Sequence, residues 1–135
     1  MTTRRARDLD EVRSWAAMAA RAADSKKATD TVVLEVGPIL AITDAFVITS
    51  GNNVRLVRTI AEEVERQVKA IGGPSPLRSE GLDDARWVLL DYGDFVVHVF
   101  LDEVRAYYDL ERLWSDAPKL DWEALAEELP AAAGE

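Results

Sequence analysis

The sequence predicts a single α/β domain, with about five strands in one mixed sheet flanked by helices, and three observations predict it. Strand-like runs (TVVLEV, AFVIT, WVLLD, FVVHVFL) are interspersed with segments of helical periodicity, in the order α-β-β-α-β-β-β-α-α. One long helix is marked at both ends, by Asn53 before it and Gly72-Gly73-Pro74 after it. The length of 135 residues suits one domain and buries a core without covalent staples.

Taken in order, Arg7 to Ala23 reads as the first helix, because Leu9, Val12, Ala16, Ala19 and Ala23 recur at three- and four-residue steps. Thr31 to Val36 is rich in β-branched residues and is stopped by Gly37-Pro38. Ala45 to Thr49 is apolar almost throughout, so this strand is expected to be covered on both faces. Ser50-Gly51-Asn52-Asn53 turns the chain into a helix from Val54 to Ile71. Its apolar stripe is Val54, Val57, Ala61, Val64, Val68 and Ile71, with Arg58, Glu62, Glu63, Glu65 and Arg66 turned to water. Pro76 to Ser79 fits an edge strand, where proline is tolerated. Trp87–Asp91 and Phe95–Leu101 form a hairpin around Tyr92-Gly93-Asp94. Two short helices follow, Val104 to Trp114 and, behind an Asp121 cap, Trp122 to Leu129; the last six residues are expected to fray. Residues 1–116 are thus expected to form the domain, and 117–135 an acidic C-terminal extension carrying a short helix.

Composition narrows the function. The absence of cysteine excludes disulfides and thiolate metal sites, and a reducing cytoplasm is the simplest home. The charged N-terminus has no apolar run behind it, so neither a signal peptide nor a membrane anchor is expected. A formal charge of -9 opposes binding to free nucleic acid, whose affinity comes from Lys and Arg displacing counterions. Acidity favours a basic protein partner, or serves solubility alone.

Catalysis finds little support. Asp44, Asp91 and Asp94 lie near strand ends, and Ser50-Gly51 precedes a helix N-terminus, the minimum for a divergent Mg²⁺-dependent nucleotidyltransferase. No paired carboxylates stand on a strand beside that turn, however, and acids flanking turns commonly cap backbone amides. His98, the one histidine, has no nucleophile or second ligand at metal-binding spacing, and reads as a hydrogen-bonded sheet residue or a recognition contact. Neither a GxSxG elbow nor a Walker loop occurs. No cofactor and no metal are expected.

Binding finds more. Alternation turns Trp87, Leu89 and Asp91 one way and Val88 and Leu90 the other; in the next strand Val97 and Val99 oppose Val96, His98 and Phe100. Both faces of the hairpin are therefore apolar. One meets the helices, and the other either completes the core or offers a partner site. Arg105, Tyr107, Tyr108 and Trp114 just beyond are of the types that anchor protein interfaces, or finish the core of a small domain.

The blocks WVLLDYGDFVVHVF and RAYYDLERLW, preceded by TDAFVITSGNNVRLVRTIAEEV and by RSEG at Arg78–Gly81, resemble the ribosomal silencing factor, or iojap-like, family over roughly Leu9 to Trp114. The resemblance implies a sheet related to that of nucleotidyltransferases without the catalytic acids. It also implies binding to the large ribosomal subunit through its basic ribosomal protein fourteen, steric exclusion of the small subunit, and lowered translation when nutrients run short. A role in large-subunit assembly is the alternative on the same ribosome. By the family pattern the partner surface comprises Trp87, Leu89, Asp91, Val97 and Val99, with Arg105, Tyr107 and Tyr108 beyond. Asp44, Gly51, Arg55, Gly81, Gly93, Asp94 and His98 also match and are expected to hold turns and strand ends. Leu56 departs from the pattern, where a polar residue is expected after Arg55, and Ser115 to Glu135 runs past the matching blocks. An apolar sheet face without its partner is further expected to pair with a second copy as a homodimer.

Overall fold

Parallel pairing of the two most apolar strands organises the molecule. The computed structural model describes residues 8–134. In chain order the elements are α1 (Leu9–Ser25), β1 (Thr29–Leu34), β2 (Ala45–Gly51), α2 (Val54–Ala70), β3 (Arg78–Glu80), β4 (Trp87–Asp91), β5 (Phe95–Leu101), α3 (Asp102–Tyr108), α4 (Leu110–Leu113) and α5 (Trp122–Ala126). The sheet order is β1-β2-β5-β4-β3. Strands β2 and β5 run parallel, and every other neighbour pair is antiparallel. Parallel neighbours need a long crossover, supplied here by α2 and the β3–β4 hairpin. The expected α/β class, mixed five-stranded sheet and flanking helices are all present.

Helices α1 and α2 lie on one face of the sheet. Val47, Val88, Leu90, Val97 and Val99 are fully buried, as are Val57, Ile60, Ala61, Val64 and Val68 of α2 and Met18 and Ala19 of α1. Asn53 caps α2 by accepting from the Leu56 amide at 2.8 Å. Asp8 caps α1 through the Asp10 amide. The expected start of α1 at Arg7 lies outside the described residues, as does the rest of the N-terminal segment; Glu135 is likewise outside them.

Four expectations are corrected. The apolar stripe of α1 is in fact a full circumference: Trp15 to Ala20 are consecutively buried, because α5 and the tail cover the outer side. The helix expected over 104–114 is two helices, broken at Asp109, whose φ of 49° is left-handed. The C-terminal segment does not fray through residue 134. Arg66 Nη1 donates to Gly134 O at 2.6 Å, Gln67 Nε2 donates to Ala133 O at 3.1 Å, and the Ala133 amide donates to Gln67 Oε1 at 2.9 Å. Glu63, expected to face water, is buried beneath this strap. Burial alone would raise its carboxyl, but hydrogen bonds from Gln67 and Arg66, with the Arg66 and Lys26 charges, hold it below the ordinary range.

Candidate docking surface

The second face of the sheet decides what the molecule offers a partner. Cross-strand neighbours share a face, and the register pairs Trp87 with Phe100, Leu89 with His98 and Asp91 with Val96. The outward face of the hairpin is therefore Trp87, Leu89, Asp91, Val96, His98 and Phe100. Val97 and Val99 stand on the helix-covered face and are fully buried, so they are core residues; their place on the expected partner surface is withdrawn. The reason is one of phase. Alternation within a strand is legible, but which residue of β5 faces a given residue of β4 depends on the turn, and one residue of slip exchanges the faces.

Chain segments after β5 cover part of this outward face. Tyr108 on α3 lies over Trp87, with ring centroids 5.1 Å apart, and Trp114 meets Phe46 edge-on at 5.5 Å. Beside Phe46 an open groove of about 360 Å³ is lined by Leu40, Ile42, Thr43, Leu77, Leu89 and His98, among others. Ile42 and Leu77 on its rim are 72% and 76% exposed, and Tyr107 beyond Trp87 is 81% exposed. Trp87 and Leu89 are half-buried between these ends. The result is an apolar and aromatic strip that the chain leaves partly uncovered. Sequence reading missed Leu40, Ile42 and Leu77. The signal for Leu40 and Ile42 was the apolar run Ile39-Leu40-Ala41-Ile42, which follows a Gly-Pro stop and belongs to no strand; Leu77, alone among polar residues and prolines, gave none.

Arg105 is also corrected. Its guanidinium donates to Thr29 O at 2.9 Å, Asp30 O at 2.7 Å, Ser50 Oγ at 3.1 Å and both Glu111 oxygens at 2.9 and 3.0 Å. It is consumed in clamping α3 and α4 to the ends of β1 and β2, with its side chain 11% exposed. Asp91 works largely inside the fold: its Oδ1 accepts from the Gly93 amide at 2.8 Å and its Oδ2 from Arg78 at 3.2 Å. Tyr108 is 55% exposed beside Tyr107.

The residues expected to hold turns are dispersed. The Asp44 amide donates to Asp94 O at 2.8 Å, tying the start of β2 to the start of β5, and both aspartates are buried. Gly81 has φ 84°, and a Cβ there would stand 2.1 Å from Trp87 O, so only glycine fits. Gly93, at φ 84°, makes the hairpin turn. Gly51 ends β2 against Leu56 and Ile60, and Arg55 is exposed on the first turn of α2.

His98 lies at the centre of the outward face. Trp87 Nε1–H donates to its Nδ1 at 3.1 Å, so Nε2 carries the proton in the neutral ring. Burial pushes the imidazole pKa down to about 4 and keeps it neutral. Among the described residues no group of three His, Asp or Glu side chains is placed to hold a metal ion. No helix among them is long and apolar enough to cross a membrane.

This arrangement defines an α/β domain with one face of its mixed sheet packed under helices and the other left partly open. Comparison with known proteins places it further. The model of the family described as "Ribosomal silencing factor during starvation" matches residues 9–135, and the chain belongs to the ribosomal silencing factor family. It is 45% identical over 104 residues to the ribosomal silencing factor of Bacillus subtilis, covering 77% of this chain and 87% of that protein. It is 34% identical over 92 residues to the mouse protein named for mitochondrial assembly of the ribosomal large subunit, covering 67% of this chain and 40% of that protein. A crystal structure of a Chromobacterium violaceum protein superposes with a TM-score of 0.73 at 32% identity, covering 81% of this chain and 88% of that one. Membership of this family implies ribosome-associated regulation of translation.

Proposed function

We propose that this chain binds the large ribosomal subunit, seats the open strip of its sheet on the basic ribosomal protein fourteen, and bars the small subunit by its bulk. The single observation that carries the reading is the uncovered strip itself, running from Ile42 and Leu77 through Leu89 and Trp87 to Tyr107. An apolar, aromatic face left open on a domain this small is an interface feature, because burying it against a partner releases water from surface that the fold could otherwise have covered. The net charge of -9 suits a basic ribosomal protein, steering encounter and repelling bare RNA. No chemistry is required of the chain in this reading; occupancy of space is the whole effect.

Trp87→Ala is the direct test. It removes the large ring between Tyr108 and Phe100, and binding should weaken by about 2 kcal/mol or more. Recovery of large subunits from a lysate at moderate salt, with the folded variant as bait, reads this out; unchanged recovery removes Trp87 from the surface. A second reading, large-subunit assembly, draws on the name of the mouse relative alone. Accumulation of immature large subunits in a deletion strain would favour it, and normal subunits with poor starvation survival would favour silencing.

A further inference from the structure

Two buried polar atoms without partners belong to residues that line the same groove. Among the described residues, the buried side-chain atoms lacking a hydrogen bond are Thr43 Oγ1, Tyr92 OH, His98 Nε2 and Asp102 Oδ1, and the first and third belong to residues lining the groove between Ile42 and Leu77. Thr43 and His98 are only 4% and 5% exposed. Because Nδ1 accepts from Trp87, His98 Nε2 is a donor and requires an acceptor; Thr43 offers a hydroxyl that either gives or takes. Protein interiors rarely leave such atoms unpaired, so a donor held in place by an internal hydrogen bond and buried in the wall of an open apolar groove points to a ligand atom that arrives from outside when that wall moves.

We infer that this groove is the specificity pocket of the docking strip, receiving one apolar side chain of a basic protein partner together with the adjoining main-chain carbonyl, which accepts from His98 Nε2–H while Thr43 Oγ1 pairs with a neighbouring polar atom of the same segment. The inference rests on the docking reading above and deepens it. Asp91 and Arg78 both stand on the groove and pair with each other, so the net charge of -9 on the whole chain decides against a carboxylate and leaves a neutral peptide carbonyl as the acceptor. An apolar side chain entering the cleft brings its own carbonyl to the required place.

Each of the two atoms exposes less than 1 Å² to solvent, so contact requires the 39–43 loop to shift. That loop is lightly held. Ile39 and Leu40 donate to Val36 O and Gly37 donates to Asp44 O; Ile39 and Ile42 are 53% and 72% exposed, and Leu40 packs against the core. With the loop closed, Thr43 Oγ1 on it and His98 Nε2 on β5 are both unsatisfied, and opening onto a partner relieves both.

Titration of purified bacterial large ribosomal subunits with the labelled full chain tests the pocket. Thr43→Val keeps the shape and removes the hydroxyl. His98→Asn keeps an acceptor near Nδ1 and removes the donor, whereas His98→Gln places an amide N–H near Nε2. Thr43→Val and His98→Asn should each weaken binding by about three- to tenfold. The thermal midpoint of free Thr43→Val should stay level or rise, because an unpaired hydroxyl has been removed, and His98→Gln should bind more tightly than His98→Asn. Full affinity from both Thr43→Val and His98→Asn, with Trp87→Ala still impaired, would overturn the pocket and leave the docking face standing. Full affinity from Trp87→Ala would overturn the docking face itself.

Discussion

His98 shows how one side chain ties stability to the open face. Its pKa is pushed down to about 4 from the ordinary 6.5 by burial, so the folded state resists a proton that the unfolded chain takes up readily. The contribution is therefore fully present above the unfolded pKa, declines as the pH falls from about 6.5 to about 4, and is constant below; over that window it amounts to ~3 kcal/mol. Urea unfolding at stepped pH should show a shallower acid decline for His98→Gln than for the unaltered chain, and parallel profiles would contradict the burial argument. Gly81 makes a second test at this scale. With φ at 84° and no room for a Cβ beside Trp87 O, Gly81→Ala should cost at least about 2 kcal/mol in the same assay.

At the scale of elements, the C-terminal strap is the least expected feature. Its carbonyls at Ala133 and Gly134 satisfy Arg66 and Gln67, and Arg21 reaches Ala126 O at 3.0 Å and also Pro130 O. Truncation after Leu129 removes the strap's hydrogen bonds to Arg66 and Gln67 and uncovers Glu63. Stability should fall by about 1–2 kcal/mol, read as a few degrees of thermal midpoint. An unchanged midpoint would make the strap ornamental. Much of the rest was legible. Asn53, the α2 stripe and Gly72 delimit a helix because caps and periodicity are local, and the Gly93 hairpin is local too. The phase between β4 and β5 was not legible, which is why Val97 and Val99 were placed outward when Leu89 in fact shares its face with His98. Nor was the fate of Arg105: an arginine beside two tyrosines reads as an interface anchor, and only tertiary structure shows its five donors spent on Thr29, Asp30, Ser50 and Glu111. The strap escaped for the same reason, since its partners lie 66 or more residues away in the chain.

For the whole molecule, an exposed apolar strip is sticky until covered. In the absence of ribosomes a second copy is the available cover, and sedimentation of the isolated chain should show a concentration-dependent dimer that Trp87→Ala weakens. Strict monomers at high concentration would remove self-pairing. Occlusion makes a sharper demand, because a domain seated where the subunits meet is incompatible with the joined ribosome. Density-gradient sedimentation of lysate, with the chain followed by immunoblot, tests this most directly. The account predicts the chain in the free large-subunit fraction and its absence from joined ribosomes; equal occupancy of joined ribosomes would contradict it.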